Sequence, residues 1–192
     1  MIVTEWNAFL KDDLLTNGNL LAMTVGVFDG VHLGHQALLK RIISYNAGYT
    51  PAVVTFKSNH KKKGLGVGDQ GSDYMDIQSF QERLETFKRM GIKITIVVDF
   101  NEEFKHMPGI NFLEMLIKHG SLGFFAVGSN FRCGYQLDTD AKMIQAFFNS
   151  RSIPAEIVPE VMEDSLPISS SRIRAAIAAG NIDLADIMMG RE

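Results

Sequence analysis

The sequence predicts an α/β fold built on a parallel sheet with helices on both faces. Two observations carry that expectation. Apolar runs of strand length alternate along the chain with segments whose apolar residues recur at helical spacing. The first run, Leu20-Leu-Ala-Met-Thr-Val25, leads through the glycine-rich decamer Gly26-Val-Phe-Asp-Gly-Val-His-Leu-Gly-His35 straight into a helical pattern carrying Leu38, Leu39, Ile42 and Ile43.

Taken in order, strands are expected at Leu20–Phe28, Ala52–Phe56, Ile94–Phe100, Phe124–Gly128 and Glu156–Val161. Each is a short apolar run rich in β-branched or aromatic residues. Helices are expected at His35–Asn46, Ile77–Met90, Ile110–Lys118, Thr139–Ser150, Ser170–Ala179 and Ile182–Met189. Crossovers between parallel strands are right-handed almost by default. The ligand crevice of such a sheet lies beyond the carboxyl ends of the strands, where the strand order reverses. The polar, glycine-rich stretch Lys57–Ser72 is the least regular part of the chain, and loops of that length are usually functional or disordered.

Composition narrows the class. A chain of 192 residues fits one domain, or one domain with a small appendage, and should bury roughly 70% of its unfolded surface. The 46% hydrophobic fraction is enough for a core, and a net charge of −3 gives no general attraction to nucleic acid. The run Lys61–Lys63 has no interleaved aromatics and reads as a solvated loop, not a nucleic-acid patch. The single cysteine, Cys133, suits a reducing cytoplasm and reads as a small buried apolar residue. No apolar run approaches the ~20 residues needed to span a bilayer, and no signal-peptide pattern opens the sequence. Met188 and Met189 read as core or interface filler.

The chemistry lies in two motifs. In the decamer, glycines permit tight turns and close approach of a ligand, and the helix that follows opens with unpaired N–H groups suited to phosphate. His32 and His35 stand three apart and share a face if the helix has begun. Asp29 fits turn chemistry or a place facing the site, and the sequence does not separate the two. Downstream, Pro167-Ile-Ser-Ser-Ser-Arg-Ile-Arg174 places Ser169, Ser170 and Ser171 before a helix that carries two guanidiniums. A serine can cap that helix, and arginine can grip phosphate oxygens bidentately. Arg172 and Arg174 are two apart and occupy different helix faces, so one is expected to serve the nucleotide and the other another task. A zinc site is a weak reading, because the sequence supplies one thiol.

The segments Thr24–His35, Val127-Gly-Ser-Asn-Phe-Arg-Cys-Gly134 and Ile168–Arg174 resemble the signatures of the HxGH nucleotidyltransferase superfamily. They are most similar to the FMN adenylyltransferase module of bacterial FAD synthetases, from about Leu20 to Met189-Gly-Arg191. The resemblance implies a Rossmann-like three-layer α/β/α domain over residues 1–192, without the riboflavin kinase domain of bifunctional members. It implies that ATP and FMN, small-molecule substrates, give FAD and pyrophosphate, with Mg²⁺ accompanying ATP and no dedicated metal ligands. By the same resemblance His32, His35, Asn130 and Arg174 are the catalytic set. Gly26, Phe28, Asp29, Gly34, Ser169, Ser170, Ser171 and Arg172 would serve the nucleotide, and Phe56, Asn59, Phe131 and Arg132 the flavin. Another phosphorylated acceptor, or a non-catalytic flavin- or nucleotide-binding module, are the alternatives.

The chain departs from the family on the flavin side. Phe56-Lys-Ser-Asn-His60 replaces the usual Phe-Asp-Pro-His-Pro, and Cys133-Gly134 replaces Phe-Gly. Ser171 keeps the hydroxyl of the usual threonine. The loss of two prolines predicts a less restrained segment after the second expected strand.

Overall fold

The protein is described as a computed structural model covering residues 1–11, 18–57 and 75–191. Asn59 and nearly all of Lys57–Ser72 fall outside the described residues. Six strands form one sheet: β1 (Ile2–Glu5), β2 (Leu21–Val25), β3 (Thr50–Phe56), β4 (Ile94–Val98), β5 (Leu122–Gly128) and β8 (Ala155–Val158). Their order is β1-β4-β3-β2-β5-β8 and every pairing is parallel. The chain moves outward from β2 through β3, then crosses back to place β5 on its other side. The strand order therefore reverses at β2.

Side-chain alternation divides the core between the two faces. Leu21, Met23 and Val25 of β2 pack with Val54, Ile96 and Phe125 against α1 (Trp6–Phe9), α5 (Gly109–Gly120) and α6 (Ala141–Asn149). Ala22, Val53, Phe124 and Ala126 pack on the opposite face against α2 (Leu33–Ile43) and α3 (Phe80–Met90). All five residues of β2 are buried, which explains its unbroken apolar run. A third cluster joins Ile168, Ile173 and Ala176 to Ala185, Met188 and Met189, seating α7 (Ser170–Ala178) on α8 (Ile182–Met189). The Rossmann-like three-layer expectation matches this architecture.

The differences from the sequence-based elements are local. β1 is an edge strand whose residues are mostly exposed, so it lacks the apolar run that would reveal it. α1 and α4 (Glu102–Lys105) are single turns with too little periodicity to read. β2 ends at Val25, not Phe28, because Phe28 adopts a φ of 57° that no strand accommodates. β8 ends at Val158, before Pro159, which has no N–H for a ladder. α2 begins two residues earlier than expected because the His32 side chain caps it. Two short hairpins complete the described chain: β6 (Arg132–Cys133) with β7 (Thr139–Asp140), and β9 (Met162–Glu163) with β10 (Leu166–Pro167).

Candidate functional site

Beyond the carboxyl ends of β2 and β5 lies a cavity of about 360 Å³. Its walls come from the turn Gly26–His35, the β5 exit Gly128–Arg132, residues 158–161 and Ile168–Ser171 with Arg174. The amino ends of α2 and α7 both contribute, so two sets of unpaired N–H groups meet there.

The turn is conformationally costly. Phe28 and Val31 take φ values of 57° and 38°, in the left-handed region that disfavours a side chain, most of all a β-branched one. Such residues cost about 1–3 kcal/mol each and persist only where surrounding contacts hold them. Phe28 is fully buried, with its ring edge-on to Phe87 at 5.5 Å and to His35 at 5.2 Å. Glycine at position 26 is a packing requirement, since a Cβ there would meet the Phe28 ring at 3.1 Å.

Asp29 joins three distant segments. Its Oδ1 accepts from the amides of Ile77 and Gln78 at 3.0 and 3.2 Å, and its backbone carbonyl accepts from Ser170 Oγ at 2.9 Å. Its Oδ2 forms an ion pair with Arg174, whose Nε donates to the Met75 carbonyl at 3.0 Å. The carboxylate thus does turn work and also orients the arginine. Both partners are largely buried, at 4% and 17% side-chain exposure, so removing either one would strand a charge.

His32 and His35 lie face to face, with ring centroids 3.6 Å apart. His32 Nδ1 accepts the His35 amide at 3.3 Å, so in neutral His32 the proton sits on Nε2. Burial, then the nearby Arg174 charge, lowers the His32 pKa to about 4. Burial, His32 and then Arg83 push His35 well below its ordinary value. Near neutrality the pair offers uncharged N–H donors, not cations. His35 Nδ1 is buried and has no hydrogen-bond partner among the described residues. A Cβ at Gly34 would press on His32 Cε1 and Nδ1 at 3.1 and 3.2 Å, so this glycine lets the imidazole lie flat over the helix start.

The two late arginines separate as their spacing demands. Arg174 lines the cavity, whereas Arg172 does not. Arg172 Nη1 donates to the carbonyls of Glu163 and Leu166, closing the β9–β10 hairpin. Ser169 caps α7 by accepting the Arg172 amide at 3.2 Å, and Ser170 and Ser171 face the cavity beside it. Asn130 lines the opposite wall and donates to Glu160 at 3.1 Å. Of the flavin-side residues, Phe131 and Arg132 line the cavity. Phe56 is instead buried in the core, where it meets Phe100 and Phe104 edge-on.

Sequence reasoning overlooked Glu160 and Arg83. Nothing marks Glu160, which reaches the site only through the path of the chain after β8. Arg83 carried a signal, since it shares the apolar face of α3 with Phe80, Leu84 and Phe87 at helical spacing. An arginine on such a face has an internal partner to serve. Among the described residues no group of three or more His, Cys, Asp or Glu side chains is placed to hold a metal ion. No helix among them is long and apolar enough to cross a membrane.

Comparison with known proteins finds relatives over most of the chain. Proteins named as bifunctional riboflavin kinase/FMN adenylyltransferase are similar to 88% of the chain. That of Bacillus subtilis is 29% identical over 171 residues, and that of Escherichia coli K12 is 27% identical over 169. That of Buchnera aphidicola from Acyrthosiphon pisum is 26% identical over 170 residues. The chain spans about half the length of these relatives, 53% to 54%. A crystal structure described as a macrolide-efflux protein from Streptococcus pneumoniae superposes on the whole chain with a TM-score of 0.84 at 25% identity. The chain covers 62% of that structure. The family model for FAD synthetase matches residues 16–172, a span that holds the decamer, the β5 exit and the capping serines, with Arg174 just past its end. By that match over most of its length, the chain belongs to the FAD synthetase family.

Proposed function

We propose that this chain transfers the adenylyl group of ATP to FMN, giving FAD and pyrophosphate. The observation that supports this best is the convergence, at the point where the strand order reverses, of two helix amino termini, a neutral histidine pair and Arg174. That combination suits the polyphosphate of a nucleotide, and a cavity of about 360 Å³ is within the usual range for a small-molecule site.

In the reaction a phosphate oxygen of FMN attacks the α-phosphorus of ATP. The bond from that phosphorus to the oxygen bridging toward the β-phosphorus breaks, and its electron pair leaves with pyrophosphate. The attacking phosphate is already anionic, so no side chain has to remove a proton. The protein's task is alignment and charge neutralisation. His32 and His35 donate to the α-phosphate, where charge develops. The α7 amino end, Ser169, Ser170, Ser171 and Arg174 hold the β- and γ-phosphates and the departing pyrophosphate. Asn130 orients the reacting phosphates from the opposite wall, with Phe131 and Arg132 on the acceptor side.

The cavity's carboxylates argue for magnesium arriving as MgATP. Asp29 is occupied by two amides and Arg174, and Glu160 accepts from Asn130. Mg²⁺ carried in with ATP would need no dedicated carboxylate here and would supply partial neutralisation of the phosphate charge.

Incubation of the purified chain with MgATP and FMN, followed by chromatographic detection of FAD and pyrophosphate, tests the proposal. FAD in equal amount to pyrophosphate is the expected result. Pyrophosphate release only with a different phosphorylated acceptor, or none with any acceptor, would refute it.

A further inference from the structure

Arg83 is the most deeply buried cation described in this protein, with 4% of its surface exposed. It lies on the inner face of α3, one turn before Phe87, with its guanidinium 5.1 Å from the Phe80 ring centroid. A capping box between Ser79 and Glu82 fixes the start of that helix immediately beside it. A guanidinium taken out of water is retained only where hydrogen bonds and nearby charges compensate its desolvation. Burial works against this charge, and the carboxylates of Asp29 and Asp76 work for it.

The bonds it makes are unusual in their placement. Nη1 donates to the carbonyl of Val27, inside the strained turn that follows β2. Nη2 donates at 2.8 Å to the carbonyl of Phe56, the last residue of β3. Thr55 Oγ1 donates to the same Val27 carbonyl at 3.2 Å, closing the link between the two strand ends. One rigid planar group therefore spans the exits of two adjacent parallel strands. The β2 exit becomes the wall built from Gly26 to His35, which carries the histidine pair, and Phe56 ends β3 beside it in the core.

We propose that Arg83 is a positioning residue that ties the turn carrying His32 and His35 to the end of β3 and so fixes where the two imidazoles stand. This rests on the adenylyl-transfer reading above. Arg83 touches neither substrate in that reading and acts through the Val27 and Phe56 carbonyls. Its fork has two donors at a fixed separation, which the single ammonium of lysine cannot reproduce. Charge stabilisation in the reaction depends on where those imidazoles stand, and a misplacement of about 1 Å can cost on the order of 10² in rate. Capture of MgATP rests in that reading on the α7 amino end and Arg174, which Arg83 does not hold, so affinity should change little.

The test uses Arg83→Lys, with Arg83→Met as the fuller deletion; if the methionine variant does not fold, the lysine variant carries the test. Calorimetry with MgATP should give one site per chain and an affinity within about 2-fold of the parent, while kcat for FAD formation falls by about 10–10²-fold. Retained stoichiometry shows that the loss is not a smaller folded fraction. An Arg83→Lys protein with parental kcat, one whose ATP affinity falls along with kcat, or one that does not fold would each overturn the proposal.

Amide hydrogen exchange on the ligand-free protein gives a readout independent of turnover. The Gly26 amide, bonded to Val54, and the Lys57 amide, bonded to Val98, report the two strand exits. Both should exchange faster together in the variant, and a change confined to α3 would overturn the proposal. If the parent chain makes no FAD, the adenylyl-transfer reading fails and the exchange result alone decides whether Arg83 ties the strand exits.

Discussion

Acid should destabilise this protein earlier than its carboxylates alone would dictate, because buried His32 and half-buried His35 refuse protons that the unfolded chain accepts. His32 is 5% exposed and its pKa falls from 6.5 to about 4, with burial the largest cause and Arg174 the second. The folded pKa is the lower one, so the stabilisation is fully present above pH 6.5. It is lost as the pH falls from 6.5 to about 4, and the slope then levels. Linkage over that whole window amounts to about 3 kcal/mol for His32, of which about 2 kcal/mol disappears between pH 7 and pH 5. His35 is shifted in the same direction and steepens the loss. The measurement is urea unfolding of the ligand-free protein at several pH values between 7 and 5, compared with His32→Gln, which keeps an acceptor for the His35 amide and cannot titrate. The parent should lose about 2 kcal/mol more than the variant across that interval, whatever their difference at pH 7. Parallel stability profiles would show that His32 titrates normally and that the neutral-donor description of the pair is wrong.

Two further outcomes follow from the same geometry. His32→Ala and His35→Ala should each lower FAD formation by about 10²–10³ while the chain stays folded, measured as kcat beside a thermal melt. Near-normal turnover in a folded variant would remove that histidine from the reaction. Gly34→Ala places a Cβ 3.1 Å from His32 Cε1 and should cost about 10-fold in kcat with little change in melting temperature, because alanine favours the helix it joins. Unchanged kcat would mean that the imidazole position is not what the glycine protects.

The central architecture was legible because local and global signals agree in it. β2, β3, β4 and β5 are buried on both faces, so their apolar runs have no competing interpretation. The helices of the long crossovers show plain amphipathic periods, and their ends moved by only a few residues. What escaped was structure whose cause is not local. β1 is held by pairing to β4 and exposes Ile2 and Val3, so its sequence carries no burial pattern. His32 caps α2 with an imidazole nitrogen, and histidine is not among the residues that usually announce a helix start.

The site was legible in its parts and not in its wiring. The two-residue spacing of Arg172 and Arg174 foretold that they would diverge, and they do, one to the hairpin carbonyls and one toward Asp29. Which arginine went where depended on the path of residues 162–167, which no spacing rule contains. The same holds for Asp29, where Asp-Gly signalled a turn but not a carboxylate gripping amides 48 and 49 residues away.

That wiring bears on the chemistry proposed. A permanently cationic histidine pair would grip ATP, the transition state and pyrophosphate alike, and such uniform binding lowers KM without raising kcat. Neutral imidazole donors in a desolvated turn behave differently. Their hydrogen bonds strengthen as negative charge accumulates on the oxygens they face, and they add no full charge to retain the leaving group. Arg174 supplies the formal positive charge, tempered by its ion pair with Asp29. In the proposed reaction the arrangement would divide the labour between a charged group that captures the polyphosphate and an uncharged pair that responds to the reaction. The depressed histidine pKa values are therefore the electrostatic counterpart of a turn that buries Phe28 and Val31 at the expense of backbone strain.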